Sequence, residues 1–414
     1  MTDTLQPTGS RPTGSRLGYG THLAIVLTTV VGINIGYTAV LPYLPEFAAK
    51  LQLSPTMIMV FFAGFAVAKI LGQPLGGVLV DRRGLRVTAV AGLALSAVGM
   101  AMVAQADTAN TAIIGRLVWG FADGIVTPSL YGAIAAVSAR YNRDAARGYA
   151  KLGTAAVLSF AGGPLVVGLV HSFADYQTVL SIAVLLTLLN VVAAGLLMPA
   201  RAPRESVDDE GRERGARRLG PMLAVVAVFG GFDLFSHLLW GAMEPLVPLY
   251  VERTYEDPVG YSAWVLTVGM LAFAAANPLL ARLPERWRSP RLAGPGMIVL
   301  ALSCIALSKV AVLSVGLLAM VVFMVAQSYI YLIAREGIRL YSGGSGVAWG
   351  AFGMLSDAGL VLGPVIGVYL FNTTGASAFT ILGVGSALAA VAIAVGMRGW
   401  QPRAVGEPEK AQSA

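Results

Sequence analysis

A single cysteine, Cys304, stands in the 414-residue chain. It can form no intrachain disulfide and no cysteine metal cluster, and in its apolar run it reads as a small packing residue. Three histidines, His22, His171 and His237, are too few and too scattered for a metal site. No glycine-rich phosphate loop, zinc-ligand spacing or nucleophile elbow occurs, so neither an enzymatic activity nor a cofactor or metal is expected. Charge is scarce as well. Asp, Glu, Lys and Arg make up 12% of the chain, against about 25% in an ordinary soluble domain. One large soluble core is thereby excluded.

Long apolar runs take the place of those charges, and hydrophobic residues reach 56%. Runs apolar on all sides predict membrane helices, since a barrel strand would be short and alternating. Twelve spans are read near 22–46, 55–80, 86–105, 110–138, 150–172, 177–198, 221–251, 260–281, 292–308, 311–338, 346–371 and 376–397. Each has roughly the 20 residues that cross about 30 Å of hydrocarbon. The sizeable polar connection, residues 199–220, divides them six and six. The expected organisation is a disordered N-terminal tail (1–21), a six-helix bundle (22–198), a linker (199–220), a second bundle (221–397) and a C-terminal tail (398–414). The first 21 residues are polar and run straight into a full-length span, unlike a cleaved signal peptide.

Lys and Arg fix the orientation. Twenty-four of the 29 lie in the two tails, the linker and the loops on the same side, while Lys50, Arg253 and Lys309 lie opposite. Both termini and the linker are therefore expected in the cytoplasm. The net charge of +7 follows from topology and gives no support to nucleic-acid binding.

The halves repeat each other. Pro42 and Pro45 in LPYLP recur 203 residues later as Pro245 and Pro248 in EPLVP. QPLGGVLVDRRG (73–84) recurs as NPLLARLPERWR at an offset of 204, and GGPLVVG (162–168) as LGPVIG at an offset of 200. Parallel six-helix repeats are a transporter architecture whose substrate site lies near the midplane between the halves.

Three motifs carry a family resemblance. In GVLVDRRGLR, Gly77, Leu79, Asp81, Arg82, Gly84 and Arg86 fill a loop pattern after the second span, with Leu85 replacing a basic residue. GRLVWG (115–120) supplies a fourth-span arginine, Arg116, and AGGPLVVG (161–168) a fifth-span Gly-Pro segment without its final paired glycine. Over roughly residues 20 to 398 the chain resembles the major facilitator superfamily, and within it the drug/proton antiporter-like exporters. The resemblance implies an all-α fold of twelve transmembrane helices in two pseudo-symmetric bundles, in a bacterial cytoplasmic membrane. It further implies a role for Arg116 in proton coupling and a cytoplasmic gate at Gly77, Asp81, Arg82, Gly84 and Arg86. On physical grounds Asp81 could cap a facing helix N-terminus, or the segment could be only a charged loop with a tight turn at Gly84. Gly162, Gly163, Pro164, Gly363 and Pro364 read as hinge and packing positions.

Charges inside spans are costly and mark function. At about 1.5 Å per residue, Arg116 lies about 10 Å and Asp123 about 20 Å below the outer boundary, and Glu244 about 11 Å. Arg116 and Glu244 are thus matched in depth, on spans that line the central cavity in the resembled fold, and are expected to pair across the halves. Lys69 and Asp357 lie about 18 and 17 Å above the cytoplasmic boundary, on spans 2 and 11, which adjoin across the halves in the resembled fold, and are expected to form a second pair. Asp123 and Asp233 are left without a basic partner. A buried carboxylate without a fixed cation can take up a proton near neutrality, so Asp123, Asp233 and Arg116 are the candidate coupling residues. Asp233, His237, Trp240 and Glu244 form one stripe at spacings of 4, 3 and 4. With Asn34, Tyr37, Trp119, Tyr131, Gln327 and Tyr329 they make the candidate substrate cavity. Phe61, Phe62, Phe232 and Phe352 are candidate apolar lining, and Arg335, Glu336 and Arg339 read as the solvated end of span 10.

The expected function is proton-coupled export of a small organic compound by a monomer whose partners are substrate, protons and lipid. The alternatives are a dedicated transporter of one metabolite, such as a siderophore, and a non-transporting receptor or scaffold.

Overall fold

The computed structural model describes residues 18–143, 145–201, 219–289, 292–308, 313–342 and 346–396. Both tails and most of the expected linker lie outside these residues. Among the described residues the regular structure is helical throughout. Before the linker come α1 (Tyr19–Ala39), α2 (Leu44–Lys50), α3 (Pro55–Arg83), α4 (Leu85–Ala104), α5 (Ala109–Arg140), α6 (Ala145–Val170) and α7 (Tyr176–Leu197). After it come α8 (Leu219–Glu252), α9 (Pro258–Leu280), α10 (Ala293–Leu307), α11 (Leu313–Ser342), α12 (Gly346–Thr374) and α13 (Ser377–Gly396). Eleven of these are long and apolar enough to cross a membrane, and α10 is shorter at 15 residues.

Helix starts follow capping chemistry. Ser54, Thr108, Asp175 and Asp257 each accept a hydrogen bond from a backbone N–H in the first turn of α3, α5, α7 and α9. The expected first span differs from the structure: it ends at Ala39, and Val40–Tyr43 turns into the separate short helix α2. Pro42 lies in that turn, whereas its counterpart Pro245 and the nearby Pro248 stay inside α8. The other repeated prolines occupy equivalent helices, Pro74 in α3 with Pro278 in α9, and Pro164 in α6 with Pro364 in α12.

Packing repeats as the sequence does. In the first half α1 packs on α6, α3 on α5, and α4 on α5 and α7. In the second, α8 packs on α12, α9 on α11, and α10 on α11 and α13. Across the halves α3 meets α12 and α6 meets α9, the exchange a two-fold axis requires. The outer surface is apolar: Leu71, Leu169, Leu196 and Leu302 are 60–70% exposed. That inverts the order of a soluble protein and fits a hydrocarbon solvent.

The α3–α5 seam is especially close. A methyl group on Gly72 would run into the Phe121 carbonyl, and one on Gly124 into the Lys69 carbonyl. Gly363 meets the Leu238 carbonyl in the same way on the α8–α12 seam.

Candidate functional site: a charged cavity between the halves

The two halves enclose a cavity of about 420 Å³. Asn34 and Tyr37 of α1, Lys69 of α3, Asp123 and Tyr131 of α5, His237, Trp240 and Glu244 of α8, Gln327 of α11 and Asp357 of α12 all line it. Phe62, Phe65, Phe160, Phe273 and Tyr331 supply aromatic surface. Seven of the expected cavity residues are therefore on its wall: Asn34, Tyr37, Tyr131, His237, Trp240, Glu244 and Gln327. Trp119, Asp233 and Tyr329 are not among its lining residues. Trp119 is fully buried against Arg116, Asp233 is fully buried against Arg335, and the Tyr329 hydroxyl donates to the Trp287 carbonyl at 2.7 Å.

Arg116 does not pair directly with Glu244. Its guanidinium carbon lies 4.5 to 4.9 Å from the ring centres of Tyr37, Phe61, Phe65 and Trp119, and 5.9 Å from that of Phe62. The residue is fully buried, and none of its three side-chain nitrogens has a hydrogen-bond partner among the described residues. Aromatic faces attract a cation through their quadrupole. Glu244 instead accepts a hydrogen bond from the Tyr37 hydroxyl at 2.8 Å. Equal depth on two helices does not fix which way the side chains turn, and Tyr37 takes up the contact with both.

The second expected pair is also corrected. Lys69 Nζ lies 2.7 Å from Asp123, within one half. The glycine seam draws α3 and α5 together, so Asp123 is at hand for Lys69, while Asp357 stands on the α12 wall of the cavity. Asp123 is thus not free of a cation. Asp233 is not free either. Arg335 Nη1 donates to it at 3.1 Å, Ser356 Oγ donates to its other oxygen, and His237 Nδ1 lies 3.4 Å away. The Arg335 guanidinium also stacks 3.3 Å over the Tyr331 ring, so this arginine is not part of a merely solvated helix end.

The loop motif takes a local form. Gly84 ends α3 with φ of +86°, a conformation that favours glycine. Arg86 Nε donates to the Met198 carbonyl at 2.8 Å, and the Leu85 N–H to the Ala200 carbonyl at 2.9 Å, both at the end of α7. Gly77 lies in open space on α3, while Asp81 and Arg82 are exposed in its last turns. Among the described residues Asp81 makes no hydrogen bond or ion pair, and the residues that precede the facing helix α12 lie outside them. Gly162 and Gly163 pack against Ile35 and Thr38 of α1 beside Pro164, and Gly363 packs on α8 beside Pro364.

Several cavity residues escape a reading of the charges. Tyr331 follows Met324 and Gln327 at spacings of 3 and 4, a helical stripe that points to it. Phe160 and Phe273 carry no such signal in an already apolar run. The cross-half bonds Tyr37–Glu244 and His171–Asp257, the latter at 3.1 Å, lie toward the end of the bundle that bears α2. The cavity reaches toward the opposite, linker end, where Gly153 lines it and Tyr131 is 53% exposed.

The family pattern of the Major Facilitator Superfamily matches residues 26–339. Multidrug resistance protein 1 of Bacillus subtilis (strain 168) is 26% identical over 360 residues, covering 84% of this chain and 90% of that protein. Quinolone resistance protein NorA of Staphylococcus aureus (strain MRSA252) is 30% identical over 117 residues, 28% of this chain and 30% of that one. In fold, the crystal structure of a mutant of the nucleoside transporter NupG is similar with a TM-score of 0.72 and 14% identity, covering 92% of this chain and 99% of that chain. Repeated helix pairing, an apolar exterior, a charged central cavity and the family match lead to one conclusion: the chain belongs to the Major Facilitator Superfamily and is a transporter.

Proposed function

We propose that the chain is a proton-coupled antiporter that exports a small, mainly apolar or amphipathic organic compound from the bacterial cytoplasm by alternating access, as a monomer in the cytoplasmic membrane. The observation that carries this reading is the inter-half cavity, where carboxylates and aromatic rings share one wall. Such a surface suits a compound with an apolar body and few polar groups. The long similarity to a multidrug resistance protein supports export over uptake. The Lys and Arg asymmetry supports a cytoplasmic linker and termini, which makes the described state closed outside and receptive inside.

Proton exchange has a physical route in the Lys69–Asp123 contact. Protonating Asp123 removes the charge that holds Lys69 at 2.7 Å and frees the lysine for the other wall. Asp233 is coupled to the same wall through His237. Everted vesicles supplied with ethidium or norfloxacin test the reading. An imposed proton gradient, acid inside, is expected to drive dye or drug uptake, and Asp123→Asn and Asp233→Asn are each expected to reduce it at least about ten-fold. Flux indifferent to the gradient and unchanged in both variants would sink the proposal.

A further inference from the structure

We propose that Tyr37 is a positioning residue that ties the Arg116 cation of one half to the Glu244 carboxylate of the other, and that protonation of Glu244 loosens this tie and lets the α2 end of the bundle open. Tyr37 makes two contacts at once. Its ring centre is 4.5 Å from the Arg116 guanidinium carbon, and its hydroxyl donates to Glu244 Oε2 at 2.8 Å. Phe65 packs on the ring at 4.8 Å, tilted, and Phe160 meets it edge-on at 6.0 Å, so the direction of the hydroxyl is set from α3 and α6. Glu244 is 4% exposed, which leaves water little access to replace the phenol.

Only one end of this chain of contacts can switch. An arginine keeps its charge throughout the accessible pH range, so the ring is drawn to the same place in every state. The carboxylate is different. A hydrogen bond to an ionised acceptor is roughly twice as strong as one between neutral groups, and the neutral acid also loses its attraction to Arg116. Other titratable groups on the cavity wall are the Lys69–Asp123 pair, Tyr131, His237, Tyr331 and Asp357. His237 lies two turns below Glu244 on α8, with its Nδ1 directed to Asp233. The residues of α6 and α9 on the cavity wall, among them Phe160, Met270 and Phe273, carry no titratable group.

The inference rests on the proposal that the halves alternate, and not on any cargo. Full-length protein in lipid nanodiscs carries Cys304→Ala with Thr56→Cys and Glu256→Cys, two exposed positions at the α2 end, one in each half. Spin-label distances between them report opening. Acidification from pH 8 to pH 5 is expected to raise the long-distance population. Tyr37→Phe keeps the ring over Arg116 and removes the donor, so it is expected to raise that population at pH 8 by about ten-fold and to flatten the pH response. Glu244→Gln is expected to do the same, and the double variant to go no further than either single one. A wild-type pH response in Tyr37→Phe, or simple addition of the two effects, would overturn the proposal. Flux that ignores a proton gradient, with the label response intact, would remove the export reading and leave this one standing.

Discussion

Arg116 lies within the bundle with five aromatic rings around it and, among the described residues, no hydrogen-bond partner on its guanidinium nitrogens. Each such ring contributes on the order of 0.5 to 2 kcal/mol, which in sum matches the several kcal/mol that burying one ion costs. Asp233 solves the same problem differently, with Arg335 and Ser356 as direct donors. Asp233→Asn should therefore destabilise the protein by about 2–3 kcal/mol, because it leaves Arg335 without its counter-ion. Asp233→Leu combined with Arg335→Met should recover most of that loss, read as the midpoint of thermal unfolding in detergent. Equal destabilisation by the double variant and the sum of its parts would show that the pair is not an energetic unit. The intramembrane charges themselves were legible in the sequence, since an ion stands out in an apolar run. Their partners were not. Depth along a helix follows from counting residues, but the direction of a side chain depends on helix rotation, and the approach of α3 to α5 decided Lys69 for Asp123. Tyr37 was expected on the cavity wall, but its bond to Glu244 was not, and Tyr331 matters through its ring face under Arg335, which leaves no charge signature.

At the scale of elements, α7 shows how its start is fixed. Asp175 accepts from the Thr178 N–H at 2.9 Å, and hydrogen bonding from Thr178 holds its carboxyl below the usual carboxylate range. With a folded value below the unfolded one, the cap contributes above the unfolded value and is lost as pH falls through the folded value. Asp175 is exposed, so Asp175→Ala should cost only about 0.5–1 kcal/mol. Amide exchange in the first turn of α7 should accelerate in that variant at pH 7 and match wild type under acid conditions that protonate Asp175. Boundaries of this kind were legible where a cap or a proline stood, as at Ser54-Pro55 and Asp257-Pro258. The break at Val40–Tyr43 was not, because an apolar turn inside a membrane-facing run looks like more helix. Residues Val40, Leu41 and Leu44 are fully buried, so tertiary packing supplies what the local sequence does not announce.

For the whole molecule, the direction of access follows from where the halves touch. Gly153 lines the cavity toward the linker end and has open space beside it, so Gly153→Cys should be tolerated. A membrane-impermeant maleimide should label that cysteine in everted vesicles and spare it in right-side-out ones, while the fully buried Cys304 stays silent. Reversed labelling would invert the orientation. The architecture at this scale was the most legible of all: span length, proline offsets and charge asymmetry each repeat, and the α3–α12 and α6–α9 contacts follow from that repetition. The glycine seams have one more consequence, and it concerns evolvability. Side chains that face the cavity without touching Arg116 or Tyr37, such as Met270 and Phe273, and the glycines that close the seams are separate positions on different helix faces. Natural selection can therefore alter which compounds are accepted by exchanging the former, while any side chain at Gly72, Gly124 or Gly363 is barred by a carbonyl already in its way. The scaffold is inherited unchanged and the chemistry of the wall is left free to diverge.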